Sequence, residues 1–243
     1  MTELLLINPN TTQSITDLVL KHAKVFAAKG TKLRAVTGAF GPRYVASRIG
    51  YAIAGHAAVD ALANDKGRKD AVVLACFGDP GLAALKEVSK VPVVGMADAS
   101  ILQACALGKR FSIVTGGERW KPMLEEFVAS HGLASRLASV RTVTPTGADI
   151  ARNPKAAMAL LAKGCNACAA DGADVVILGG AGLAGLAARL KSQVDVPILD
   201  GVACAISMAE ALAGQKTVRM GTPPAPVESI GLSKGLAKLV GSP

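Results

Sequence analysis

Short apolar runs alternate with longer amphipathic stretches along this chain. The runs are Leu4–Ile7, Leu33–Val36, Ala71–Ala75, Val91–Val94, Phe111–Val114, Val140–Val143, Val175–Leu178 and Val196–Leu199. Each is rich in β-branched residues and ends at Asn, Gly, Thr, Cys or Asp, the pattern of strands buried on both faces. Helical spacing covers Ser14–Ala28, Val45–Ala63, Leu82–Val88, Ala97–Ala106, Lys121–His131, Lys155–Asp171, Leu183–Gln193 and Cys204–Leu212. Strands alternating with helices in this way predict an α/β fold with parallel sheets. Beyond them, Thr222-Pro223-Pro224-Ala225-Pro226 reads as a linker to a last helical stretch, Glu228–Leu239, expected to pack back on the first domain.

The chain also repeats itself. Asp70-Ala71-Val72-Val73-Leu74-Ala75-Cys76-Phe77-Gly78 parallels Asp174-Val175-Val176-Ile177-Leu178-Gly179-Gly180-Ala181-Gly182. Each is followed by a helix and then a Val-Pro strand, at Val91-Pro92 and Val196-Pro197. Such self-similarity predicts two pseudosymmetric four-stranded units, a first α/β domain over 1–97 plus 213–243 and a second over 98–212. Setting Asp70 on Asp174 places Cys76 opposite Gly180. Ligands of open parallel sheets sit outside the carboxyl ends of the strands, so these two positions are expected on opposing walls of one cleft.

Composition narrows the function classes. The 243 residues carry a formal charge of +9, yet the basic residues are scattered singly or in pairs, and aromatics make up only 3%. A nucleic-acid surface needs clustered charge or stacking platforms, so no nucleic-acid partner is expected. No run approaches the roughly 20 apolar residues of a membrane span, and no basic leader precedes the first strand. No membrane partner is expected. Five cysteines without a secretion signal read as reduced thiols in a cytoplasmic protein.

Cys76 is the sharpest chemical candidate. It follows a strand and precedes Phe77-Gly78-Asp79-Pro80-Gly81, a turn that opens a helix, where backbone N–H groups are expected to lower a thiol pKa. Gly78, Gly81, Gly179, Gly180 and Gly182 bring bare backbone to a ligand and offer N–H groups for an oxyanion. Asn8-Pro9-Asn10-Thr11-Thr12 ends the first strand, with Asn10 and Thr11 placed to orient polar atoms or to cap the next helix. Thr115 and Gly116 end the corresponding strand of the second half. Arg43, Tyr44 and Arg48 fall in the loop after the second strand, where an arginine such as Arg48 could meet a substrate carboxylate. Cys165 and Cys168 lie in a helical pattern without a second ligand pair for zinc, so no metal site is expected. Cys105 reads as core, and Cys204 starts a helix after Asp200-Gly201. His22, His56 and His131 accompany no nucleophile motif. No HExxH, GxSxG or Walker pattern occurs.

At these residues the chain resembles the aspartate/glutamate/hydantoin racemase superfamily, most closely its hydantoin and allantoin racemase branch. The resemblance rests on Ile7-Asn8-Pro9-Asn10-Thr11-Thr12, Ala75-Cys76-Phe77-Gly78-Asp79-Pro80-Gly81-Leu82, Leu178-Gly179-Gly180-Ala181-Gly182-Leu183 and Pro197-Ile198-Leu199-Asp200-Gly201-Val202. It implies two flavodoxin-like domains, an active site in the cleft between them, no cofactor and a small-molecule substrate, and it allows the homo-oligomeric assembly common in the family. In that family one thiolate removes the proton from the stereogenic carbon and an opposed thiol returns one to the other face. The first family cysteine matches Cys76; the second falls at Gly180.

Glycine carries no proton, so the two-thiol reaction cannot run unchanged. The second departure is Arg43-Tyr44-Val45-Ala46-Ser47-Arg48, where the branch is expected to hold an acidic residue. The resulting expectation is a cofactor-independent racemase of a hydantoin- or allantoin-like substrate, with Cys76 as acid/base, and Asn10, Thr11, Arg48, Phe77, Gly78, Asp79, Thr115, Gly116, Ala181 and Gly182 around it. Water, Cys204 or another group would then serve the second face. Two alternatives stand beside it: a single-cysteine decarboxylase of a malonate-like acid, and a non-catalytic small-molecule binder.

Overall fold

The computed structural model describes residues 1–215 and 225–241. Two all-parallel four-stranded sheets carry the fold. The first contains β1 (Glu3–Asn8), β2 (Lys32–Thr37), β3 (Ala71–Leu74) and β4 (Val93–Gly95), in the order β2-β1-β3-β4. The second contains β5 (Phe111–Gly116), β6 (Leu137–Val143), β7 (Val175–Leu178) and β8 (Ile198–Asp200), in the equivalent order β6-β5-β7-β8. Each sheet is flanked by helices, as the alternating pattern predicts. The central strands are buried on both faces because crossover helices cover both sides of a parallel sheet. Residues such as Leu4, Leu5, Leu6 and Ile7 are at most 1% exposed.

The helices are α1 (Gln13–Phe26), α2 (Arg48–Asn64), α3 (Leu82–Val88), α4 (Met96–Leu107), α5 (Trp120–Ser130), α6 (Gly147–Arg152), α7 (Pro154–Ala170), α8 (Ala187–Leu190), α9 (Gly201–Leu212) and α10 (Lys234–Leu239). Helix α9 lies against β3 and β4 of the first sheet, α4 lies against β5 and β7 of the second, and the two helices pack on each other. One apolar cluster therefore joins the halves, from Leu4 and Val73 through Ile101 and Ile206 to Ile113 and Ile177. Fully burying each such Leu, Ile or Val is worth about 1.5–3 kcal/mol.

The repeat is visible in the bonds that start the strands. Asp70 accepts the N–H of Glu3 at 2.9 Å, and Asp174 accepts the N–H of Arg110 at 2.9 Å. Each aspartate thus ties the third strand of its sheet to the first. The ladders agree, with Leu4 opposite Ala71 and Phe111 opposite Val175. Asp70 and Asp174 are therefore equivalent, and so are Cys76 and Gly180.

Several elements depart from the expected spans. The Val-Pro strands begin later than the apolar runs, at Val93 and Ile198, because proline has no N–H for the ladder. The stretch 183–193 is not one helix. It breaks into short 3-10 turns at Ala181–Leu183 and Lys191–Gln193 around the single turn of α8. Here the N–H of Gly185 goes to Asp200 Oδ2 at 2.7 Å instead of to a helical carbonyl. The helix α6 was not expected; a reciprocal bond between Thr146 and Asp149 starts it. The final helix is shorter than 228–239 and begins after Ser233, whose hydroxyl accepts the N–H of Leu236 at 3.2 Å. It packs on α2, where Asn64 donates to Ser233 at 2.9 Å. Residues 222–224 of the expected linker lie outside the described residues. Among the described residues no helix is long and apolar enough to cross a membrane.

Candidate active site

The carboxyl ends of both sheets open onto a small cavity lined from both halves. Asn10, Ile15, Tyr44, Val45, Cys76 and Phe77 come from the first half, and Thr115, Trp120, Gly147, Gly180, Ala181 and Gly182 from the second. Of the residues expected at the site, Cys76, Gly180, Asn10, Phe77, Thr115, Ala181 and Gly182 are brought together here.

Cys76 sits two residues beyond the end of β3, in the turn before α3, and is 7% exposed. Helix α3 starts six positions later, after Gly81, so Cys76 is not at a helix N-terminus. The expected lowering of its pKa is absent. Burial, with the nearby Asp79 charge second, pushes the thiol up to about 12. It is the only cysteine lining this cavity among the described residues. Cys204 packs in the core between the halves, its thiol pushed up to about 12 by burial. Cys165 and Cys168 are buried on the face of α7, as the helical pattern suggests.

Asn10 is held by a local network. Its Oδ1 accepts from Asn8 Nδ2 at 3.0 Å and from the Thr12 N–H at 2.9 Å. Asn8 Nδ2 donates also to Thr16 Oγ1 at 2.9 Å. The Asn10 carboxamide orientation is thereby fixed, and its Nδ2 has no acceptor among the described residues. The N–H of Phe77 is likewise free of backbone acceptors among them. Across the cavity, Gly180 adopts φ +131°, and a Cβ built there would lie 3.6 Å from Thr115 Oγ1 and 3.1 Å from Leu183 Cδ1. The wall at Gly180 is bare backbone backed by a hydroxyl.

Five expected residues stand outside the cavity. Arg48 begins α2 and pairs with Glu126 through two bonds of 2.6 Å, both side chains more than half exposed. Its charge meets α5 rather than a ligand. The Thr11 N–H donates to Pro42 O at 3.1 Å. Gly78 lies behind Trp120, its carbonyl accepting the Tyr51 hydroxyl at 2.8 Å. Gly116 ends β5 against the backbone of Pro145 and Gly147. Asp79 turns away to the start of α4, accepting the N–H groups of Ala97 at 3.0 Å and Asp98 at 2.7 Å. Asp200 does the same for α9 through Val202 at 2.9 Å, so a buried carboxylate caps the crossing helix in each half.

The residues the sequence did not single out are Ile15, Val45, Trp120 and Gly147, together with the contact that Tyr44 makes. Gly147 donates its N–H to Tyr44 Oη at 2.9 Å, a bond across 103 residues that no local pattern reveals. The one available signal was that Trp120 is the sole tryptophan.

The Asp/Glu/hydantoin racemase family model matches residues 4–209. The chain belongs to this family. A hydantoin racemase of Pseudomonas sp. (strain NS671) is 38% identical over 223 residues, covering 89% of this chain and 88% of that protein. The solved allantoin racemase from Pseudomonas fluorescens matches with a TM-score of 0.90 at 33% identity, over 95% of this chain and 100% of that one. The allantoin racemase from Klebsiella pneumoniae matches with a TM-score of 0.91 at 29% identity, over 97% of this chain and 99% of that one. The racemase family is one of isomerases, and two all-parallel four-stranded sheets flanked by helices are the fold this chain shares with the solved allantoin racemases.

Proposed function

We propose that this chain is a cofactor-independent racemase of a small cyclic ureide, hydantoin- or allantoin-like, with Cys76 Sγ as the acid/base. The observation that carries the reading is the placement of one thiol, Cys76, in a cavity lined from both halves. Its relatives act on hydantoins and allantoin by name.

The chemistry follows from the cavity. The thiolate of Cys76 removes the proton from the carbon beside the substrate carbonyl, and the electron pair passes to the oxygen as an enolate. The Phe77 N–H and Asn10 Nδ2 are donors for that oxygen. Ile15, Val45 and Trp120 supply apolar walls that exclude water and strengthen those bonds. Because burial holds the thiol near 12, its thiolate is a minor form but a correspondingly strong base for a weak carbon acid.

Incubation of single enantiomers of 5-substituted hydantoins and of allantoin in D2O tests this reading. Deuterium entry at the stereogenic carbon with inversion is expected; no exchange from any of them would overturn it. The bare wall at Gly180 favours a second reading, protonation by one thiol after decarboxylation of a malonate-like acid. CO2 release from a disubstituted malonate without hydantoin exchange would support that reading.

A further inference from the structure

Racemisation needs a proton on each face of the reacting carbon, and the Gly180 wall carries no side chain to supply one. Among the side chains lining the cavity, those of Ile15, Val45 and Phe77 have no proton to give, and the amide of Asn10, the hydroxyl of Thr115 and the indole of Trp120 are far too weakly acidic. Besides Cys76, one lining group titrates in an accessible range, the phenol of Tyr44, whose ordinary pKa is about 10.

Its position is built rather than accidental. Tyr44 belongs to the loop after β2, in the same half as Cys76, yet its Oη accepts the N–H of Gly147 at 2.9 Å. Gly147 in turn packs on Gly182, two residues from Gly180: a Cβ on Gly182 would overlap Gly147 O. The hydroxyl is thus pinned to the second half, the half that carries Gly180. An oxygen that accepts from Gly147 keeps its own proton for another partner, and Tyr44 and Cys76 line the same cavity. Burial raises the phenol above its ordinary value, so it holds its proton at neutral pH.

We propose that the Tyr44 hydroxyl is the second proton donor, serving the face that Gly180 leaves without a thiol. This rests on the racemase reading above. In the forward step the C–H bond breaks, its proton joins Cys76 Sγ, and the electron pair moves to the enolate. The enolate then takes the Tyr44 proton on the opposite face, leaving a neutral thiol and a phenolate. That pair is the starting state for the mirror-image substrate. Passage of one proton from Sγ to Oη through solvent regenerates the first state.

Tyr44→Phe removes the proton and leaves the ring. Its inversion and its deuterium exchange with retained configuration are followed separately for one hydantoin enantiomer in D2O, with the melting temperature measured as a fold control. The expected result is a fall in inversion of about 100-fold or more, as for loss of a general acid, while exchange with retention persists within about tenfold. Wild-type inversion in Tyr44→Phe, or an equal loss of inversion and exchange in a folded variant, would overturn the assignment. No exchange by the wild-type protein would overturn the racemase reading and this assignment together, which distinguishes the two failures.

Discussion

Cys76 and Gly180 occupy equivalent turns, six positions beyond Asp70 and Asp174, each of which ties its strand to the start of the first strand in its sheet. Both positions line one cavity, but only Cys76 carries a side chain. At Gly180 the backbone has φ +131°, a region that side-chain-bearing residues rarely adopt. Gly180→Ala should therefore lose about 1–3 kcal/mol of stability, read as a melting temperature lower by about 2–4 °C per kcal/mol. Gly180→Cys carries the same strain, so a thiol there gains exchange on the second face only with a similar loss. A Gly180→Ala variant that melts with the wild type would contradict this backbone assignment.

The raised pKa of Cys76 predicts a reactivity profile. In the free protein, alkylation of Cys76 by iodoacetamide, followed at that residue by mass spectrometry, should rise about tenfold per pH unit between about pH 7 and 10 without a plateau. Part of the upward push comes from the Asp79 charge. Asp79→Asn should therefore speed alkylation at a fixed alkaline pH. A plateau with a midpoint near the ordinary thiol value of about 8.5 would contradict the burial.

Asp79 gives a stability signature of its own. Burial, with a smaller like-charge contribution from Asp98, raises its carboxyl to about 7 against the bonds from Ala97 and Asp98. The folded chain then holds a proton that the unfolded chain has released between about pH 4 and 7. The sign follows: this contribution is fully present below the unfolded pKa and is lost as pH rises through the folded one. Urea midpoints should fall across that window, and the fall should shrink in Asp79→Asn. That variant also loses one of two acceptors at the start of α4, at about 1–3 kcal/mol. An unchanged pH slope in Asp79→Asn would contradict the assignment.

Arg48 makes the opposite kind of prediction. It is paired with Glu126 on the surface, away from the cavity. Arg48→Ala should leave kcat and KM on a hydantoin within about twofold, because exposed pairs contribute little. A large rise in KM would return Arg48 to the substrate.

Much of the fold was legible because buried parallel strands leave a plain signal, a short β-branched run ending in a turn residue. The repeat made Asp70 and Asp174 align, and with them Cys76 and Gly180. Cys76 and Asn10 stand at strand ends, so topology alone directs them toward a ligand. The missed features are of another kind. Helix α6 buries only Gly147 and Ile150, too little apolar surface for a periodic pattern, although its Thr146–Asp149 cap was there to be read. Tyr44 meets Gly147, and Trp120 covers Gly78, across long stretches of chain with no shared local pattern. The expected low thiol pKa failed because α3 begins beyond the turn and burial dominates. Charge misled at Arg48, whose partner Glu126 is 78 residues away.

The Cys76 thiol moves the proton in the reaction proposed above. This role is tested most directly by deuterium exchange at the stereogenic carbon of one 5-substituted hydantoin enantiomer in D2O, comparing the wild-type protein with Cys76→Ser. Exchange by the wild type is expected, with a loss of about 10²–10⁴-fold in the variant, the range for removal of a general acid/base, and with Cys165→Ser and Cys168→Ser unchanged. Wild-type exchange in a folded Cys76→Ser variant would contradict it.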